Sequence, residues 1–187
     1  VKFNPKKTFF LRISNKRNKT ILPPIKMNNI LIQEVPHFSL LGLVLDSKLS
    51  WKEHIDNVFK RCNLKMLTMS KLRSILPRTT LSLLYTQYIR PILDYGCILY
   101  DNCSLSLSNR LERIQRRAAL IVTGAYRHTE NSLLLRDLRW ESLKERRSYF
   151  KLSYYYKLTN GLLPGYLGAL IPRSVSDETH YNQIGRA

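Results

Sequence analysis

A change of hydrophobic rhythm within residues 38–59, FSLLGLVLDSKLSWKEHIDNVF, constrains the fold more than any other feature of the chain. Its first half is a short apolar run, Leu40, Leu41, Leu43, Val44 and Leu45 around Gly42. That is the length of a buried strand, and a glycine inside such a run marks a bulge or a close approach of backbone. In its second half, apolar residues fall at Trp51, Ile55, Val58, Phe59, Cys62 and Met66, the three-and-four spacing of a helix. Between them, Ser50 and Glu53 have the S-x-x-E spacing of a capping box, in which each side chain takes the other's backbone N–H. Strand chemistry precedes this junction and helix chemistry follows it. The expected fold class is α+β: short N-terminal antiparallel strands and a hairpin, then a mostly α-helical bundle.

On the strand side, residues 7–14 (KTFFLRIS) read as a strand closed by a polar turn, and Pro23-Pro24 forces an extended entry. Asn28-Asn29 between Ile25-Lys26-Met27 and Ile30-Leu31-Ile32 is a two-residue hairpin signal, because asparagine tolerates the positive φ such turns need. Three or four short strands are too few to stand as a sheet unless something covers one face. On the helix side, the spacing predicts a first helix over 51–73 and a second capped by Thr79 or Thr80, which Pro91 kinks or restarts. A third opens at Ser106 or Ser108, buries Leu107, Leu111, Ile114, Ala118 and Ile121, and stops at Gly124. A short helix over 131–138 and a longer one over 140–159 follow, the latter ended by Gly161. The last residues are polar, and 171–187 are expected to form a disordered tail.

Charge narrows the function. Thirty-one Lys+Arg against 13 Asp+Glu give a formal net charge of +18, the footprint of a polyanionic partner. The excess runs through the strands and most of the helices instead of sitting in one tail, which suits a protein that tracks a duplex backbone. No run approaches the ~20 apolar residues of a membrane span, and no membrane partner is expected. The odd set Cys62, Cys97 and Cys103, without C-x-x-C spacing, fits buried thiols in a reducing intracellular compartment and no metal site. Lys60, Arg61 and Lys65 on the first helix, and Arg110, Arg113, Arg116 and Arg117 on the third, are the candidate phosphate contacts. Four arginines within eight residues form the densest cluster. A solvated helix face is the competing use. Lys144, Arg146, Arg147 and Lys151 continue the basic theme, diluted by Glu141 and Glu145. Tyr85, Tyr88, Tyr95 and Tyr100 read as core aromatics with hydroxyls at the rim, base stacking being the alternative. The four histidines are scattered, with no nucleophile elbow, P-loop or metal-ligand spacing around them, and His54 reads as structural.

The words LGLVLDSKLSWKEHI, preceded by FNPKKT and followed by LLYTQYIRPILDYG and RLERIQRRAALIVTGAY, resemble the reverse transcriptase of LINE-type (non-LTR) retrotransposons, from the end of its palm into its thumb and beyond. The resemblance covers residues 1–170, and its strength lies in the family order of the words. It implies a palm edge over 1–49, a thumb-like bundle over 50–127 and post-thumb helices over 128–170. It also implies that Lys7 contacts the phosphates of the incoming nucleotide, and that Leu40, Leu41, Gly42, Leu43 and Val44 form the hairpin called the primer grip. The implied partners are an RNA–DNA template–primer duplex and the fingers and palm of the same polypeptide, in a nuclear or cytoplasmic ribonucleoprotein.

Nucleotidyl transfer needs two or three carboxylates converging on two metal ions. In residues 1–50 the acids are Glu34 and Asp46, without an Asp-Asp turn. By the resemblance, the catalytic carboxylates and their Mg²⁺ belong to an upstream part of the complete enzyme, so this chain alone is expected to hold no catalytic residue, metal or cofactor and to be inactive. The competing reading is a stand-alone basic helical module that binds nucleic acid and has no polymerase ancestry. That reading requires a complete sheet in residues 1–50, whereas the polymerase reading requires an unfinished one with exposed apolar side chains.

Overall fold

The computed structural model describes residue 4, residues 7–14 and residues 23–170. It confirms the α+β class. Six strands come first, β1 (Phe9–Phe10), β2 (Lys26–Met27), β3 (Ile30–Leu31), β4 (Gln33–Glu34), β5 (His37–Leu40) and β6 (Leu43–Asp46). The helices are α1 (Lys52–Leu72), α2 (Arg78–Leu84), α3 (Arg90–Asp94), α4 (Leu105–Thr123), α5 (Asn131–Leu138) and α6 (Leu143–Thr159). The chain forms two compact units, Val1–Arg147 and Ser148–Ala187. The tail expected over 171–187 lies outside the described residues.

The strands make three separate two-stranded ladders, and no common sheet joins them among the described residues. Asn28 and Asn29 both have positive φ, 50° and 60°, and close the β2–β3 hairpin as their residue type suggests. Residues 7–14 contribute only the two residues of β1, which pair with β4 in parallel. The apolar run at 40–45 is not a single buried strand. Leu41 (φ 48°) and Gly42 (φ 82°) turn it back on itself, and β5 pairs with β6 from Leu40↔Leu43 to His37↔Asp46. Phe9, Ile30, Leu31, Phe38 and Leu40 are exposed on these ladders, and Ile13 is exposed beyond β1.

In the first unit the core is helical. Ile55, Val58, Cys62, Met66 and Met69 of α1 pack with Leu81, Tyr85, Ile89 and Leu93, and with Leu111, Ile114, Ala118 and Ala119 of α4. Cys62 and Cys97 are free and buried, and burial pushes both thiols up to about 11. Pro91 acts as expected of a proline in a helix: it stands at the start of α3, and the turn before it, Tyr85–Ile89, widens to π-helical bonding, Arg90 N–H reaching back to Tyr85 O. Among the described residues no helix is long and apolar enough to cross a membrane. In the second unit α6 continues to Thr159 and stops before Gly161 (φ 66°).

The caps differ from expectation at four helices, and α2 opens at Arg78 after Pro77 with no side-chain cap instead of at Thr79 or Thr80. Trp51, before α1, is left-handed (φ 64°) with no side-chain cap bond. There the Asp46 carboxylate replaces the expected Ser50/Glu53 box, accepting from Lys48 N, Ser50 N, Ser50 Oγ and Trp51 N at 2.9–3.1 Å. Ser104, two residues before the earlier of the expected serines, caps α4 by accepting from Leu107 N. At α6 the start is Leu143, not 140, because Arg139 takes φ 54° and Trp140 N–H bonds back to Leu135 O, closing α5 in a Schellman-type turn. A capping box then forms at Ser142 and Glu145: Ser142 N donates to Glu145 Oε2 and Glu145 N to Ser142 Oγ, at 2.8 and 3.1 Å.

Candidate nucleic-acid interface

Helices α1 and α4 lie side by side and run in the same direction. Arg110 pairs with Asp56 and Arg117 with Asn63, both across a separation of 54 residues. Between them is an open groove of about 340 Å³ lined by Phe59, Asn63, Arg110, Arg113, Ile114 and Arg117. The apolar stripes of both helices are spent on the core, which leaves their polar edges to form this groove.

The candidate basic residues fall into three places. Arg110 is anchored at one end of the groove, on the Asp56 carboxylate and with its guanidinium 4.2 Å over the Phe59 ring. Arg117 donates to Asn63 Oδ1 at 3.3 Å, and exposed Arg113 stands between them along α4. Lys60 is exposed on α1, one turn after Asp56 and three residues before Asn63. On the other edge of α1, Lys65 Nζ sits 3.1 Å over the Tyr88 ring, with exposed Arg61 one turn before it. Arg116 turns away from the groove altogether and donates to Thr129 O and Arg127 O at 2.8 and 2.9 Å.

Asp56 and Glu112, the acids of α1 and α4 other than Glu53, are engaged internally. Glu112, in the middle of the arginine cluster, accepts from Leu143 N and Lys144 N and so caps α6. Asp94 takes Arg146 through two bonds, at 2.7 and 3.2 Å. Asp101 takes the buried Arg147 at 3.0 Å, and Ser108 Oγ accepts a further bond from it. Arg146 and Arg147 therefore hold the fold together and do not extend a basic surface. Arg113, Arg117 and Lys60 have no carboxylate partner among the described residues.

The β5–β6 hairpin is fixed from the helical side. Tyr95 donates its hydroxyl to Leu41 O at 2.6 Å, and Val44 N–H donates to His54 Nδ1 at 3.4 Å. Gly96 has φ 64°, and a Cβ there would stand 2.8 Å from Leu43 Cδ2, so only glycine fits against the hairpin. Of the five primer-grip candidates, Leu40, Leu41 and Gly42 are exposed at the tip, while Leu43 and Val44 are half-buried against these anchors. His54 is buried beside Tyr100 and Trp51, and burial, with the nearby Arg61 charge, holds its pKa below the ordinary value. With Nδ1 accepting from Val44, its Nε2 is buried without a hydrogen-bond partner. Of the four tyrosines, Tyr85 and Tyr100 are core residues, while Tyr88 and Tyr95 are half exposed.

Lys7 is exposed, its N–H bonded to Asn4 O. Glu34 is ion-paired with Arg12, Asp46 is committed to the α1 cap, and among the described residues no three His, Cys, Asp or Glu side chains gather as a metal site. Sequence reasoning missed Asp46 and Tyr95. The signal for Asp46 was its position four residues before Ser50, and for Tyr95 the Tyr-Gly step after α3.

No protein-family model matches the chain, and no solved structure matches it. Three curated proteins of Drosophila melanogaster are similar to it. The probable RNA-directed DNA polymerase from transposon BS is 26% identical over 164 residues, 84% of this chain and 18% of that protein. The RNA-directed DNA polymerase from mobile element jockey is 27% identical over 163 residues, 84% of this chain and 17% of that protein. The probable RNA-directed DNA polymerase from transposon X-element is 24% identical over 139 residues, 73% of this chain and 15% of that protein. The chain thus spans less than a fifth of the length of these relatives. With its motif words in family order on an α+β fold, the chain is a homologue of the RNA-directed DNA polymerases of non-LTR, LINE-type retrotransposons.

Proposed function

We propose that this chain is the duplex-gripping part of a retrotransposon reverse transcriptase, with the α1–α4 groove seated on the backbone of an RNA–DNA template–primer. The observation that carries this reading is the separation of charge. Arg113 and Arg117 line the groove without carboxylate partners and exposed Lys60 has none either, while Glu112, on the same helix as the two arginines, is consumed as the cap of α6. Arginines fixed at a helix edge bind phosphates of a duplex recognised by its shape and backbone, without reading bases. Arg110, already neutralised by Asp56, positions Phe59 and the groove wall. Arg61 and Lys65 supply a second, weaker edge.

In the same reading the tip of the β5–β6 hairpin supports the primer end, and Lys7 meets the phosphates of the incoming nucleotide. The exposed apolar side chains of the three ladders are covered by other parts of the polymerase. Phosphoryl transfer and its Mg²⁺ belong to the complete enzyme, since the carboxylates Glu34 and Asp46 are already engaged here.

The test is equilibrium binding of the chain to an RNA–DNA hybrid and to heparin across a salt series. The Lys60→Gln/Arg113→Gln/Arg117→Gln variant is expected to lose affinity for the hybrid and about 2–3 units of log–log salt slope. Arg116→Gln is expected to keep the slope. Equal binding of hybrid and heparin, with no change of slope in the triple variant, would sink the proposal.

A further inference from the structure

The turn that follows α4 carries a second cationic and aromatic feature. Tyr126 is 77% exposed, and Arg127 and His128 beside it are exposed too. The Tyr126 and His128 rings lie 5.5 Å apart, inclined at 50°. Solvated turns commonly need no internal support, yet this one has it. Gly124 (φ 69°) starts the turn, Thr129 N–H bonds to Tyr126 O at 2.9 Å, and the two arms of the Arg116 guanidinium hold Thr129 O and Arg127 O. One of the four arginines of α4 thus braces the turn.

The surroundings are cationic. No acid occurs in the sequence from Arg113 to Thr129. The Arg73 guanidinium, at the end of α1, lies at the base of the turn, with Nη2 3.5 Å from where a Cβ on Gly124 would stand. Tyr126 comes just after the C-terminal end of α4, which stops at Thr123, and nine residues after Arg117 in sequence. An aromatic face flanked by cations, on a braced turn that follows the arginine-bearing helix of the groove, has the chemistry of a stacking platform for an unpaired base. Pre-ordering by Arg116 removes much of the entropy a flexible loop would lose on stacking.

We infer that Tyr126, flanked by Arg127 and His128 and held by Arg116, stacks an unpaired nucleotide of a strand leaving the α1–α4 groove. This rests on reading that groove as the duplex site. It adds a single-strand contact that duplex binding alone does not require.

The test uses the full chain, a blunt RNA–DNA hybrid, and the same hybrid with a short single-stranded extension bearing 2-aminopurine at its first unpaired position. For the wild type the extension is expected to tighten binding by roughly tenfold, the increment of one stacked base, and to quench the 2-aminopurine. Tyr126→Ser, at an exposed position, is expected to abolish both effects and leave blunt-hybrid affinity unchanged. Tyr126→Phe is expected to keep both. Arg116→Lys, which keeps the charge and loses the fork, is expected to lose part of the increment. No increment in the wild type, or an increment and quenching that survive Tyr126→Ser, would overturn the inference. Failure of the groove reading looks different: the groove variants then leave blunt-hybrid binding and its salt slope unchanged, whatever Tyr126 does.

Discussion

At Asp46 one carboxylate accepts from three backbone N–H groups and a hydroxyl, and these bonds carry the chain from the hairpin into α1. Partial burial raises its pKa, but the bonds from Ser50, Lys48 and Trp51 outweigh that effect and hold it below the ordinary carboxylate value. A group with a depressed folded-state pKa contributes stability above its unfolded pKa and loses it as pH falls through the folded value. Asp46→Asn should therefore cost about 1–2 kcal/mol in urea unfolding at pH 7, with the deficit shrinking below about pH 4. Glu53→Ala should change little, because Glu53 makes no cap bond, whereas Glu145→Ala should destabilise the start of α6. The two S-x-x-E words are equivalent on paper. The first fails because a nearer, stronger acceptor already holds Ser50 N and Trp51 is left-handed. The second succeeds because nothing competes at Ser142.

Between the hairpin and the helices, the coupling runs through a few groups spaced far apart in sequence. Tyr95 holds the Leu41 carbonyl of a turn in which a leucine carries positive φ, a conformation that costs roughly 1–2 kcal/mol and needs outside support. Tyr95→Phe should leave global unfolding nearly unchanged and speed amide exchange across residues 37–46 several-fold, the effect of one lost hydrogen bond. Gly96→Ala should be the harsher change, since the new methyl meets Leu43 in a backbone that already disfavours a side chain. This latch was partly legible. Gly42 marked a backbone event in the apolar run, but the run's length suggested one strand. The turn became visible only when Tyr95, 54 residues away in sequence, was found on its carbonyl.

Over the whole molecule, the surplus of +18 is unevenly used. Carboxylates at Asp56, Asp94, Asp101, Glu112 and Asp137 serve ion pairs or caps inside the fold, so much of the excess falls on groove, turn and helix edges. Arg147→Met tests that division. It removes the buried guanidinium from Asp101 and should cost about 2 kcal/mol, less than a fully buried pair because Asp101 is partly exposed. Hybrid affinity, measured at a temperature where the variant is folded, should stay at the wild-type level. The sequence by itself determined what depends on neighbours within a few residues: the switch from strand to helix near residue 50, the Asn28-Asn29 turn, the stop at Gly124 and the break before Pro91. Those features follow from periods of two and 3.6 and from the backbone limits of single residue types. Which of the four arginines of α4 stay clear of a carboxylate or backbone acceptor was decided by tertiary structure. Arg110 met Asp56, Arg116 met the carbonyls of its own turn, and Arg113 and Arg117 kept the groove. A guanidinium goes to the best acceptor within reach, and packing determines which acceptors are within reach.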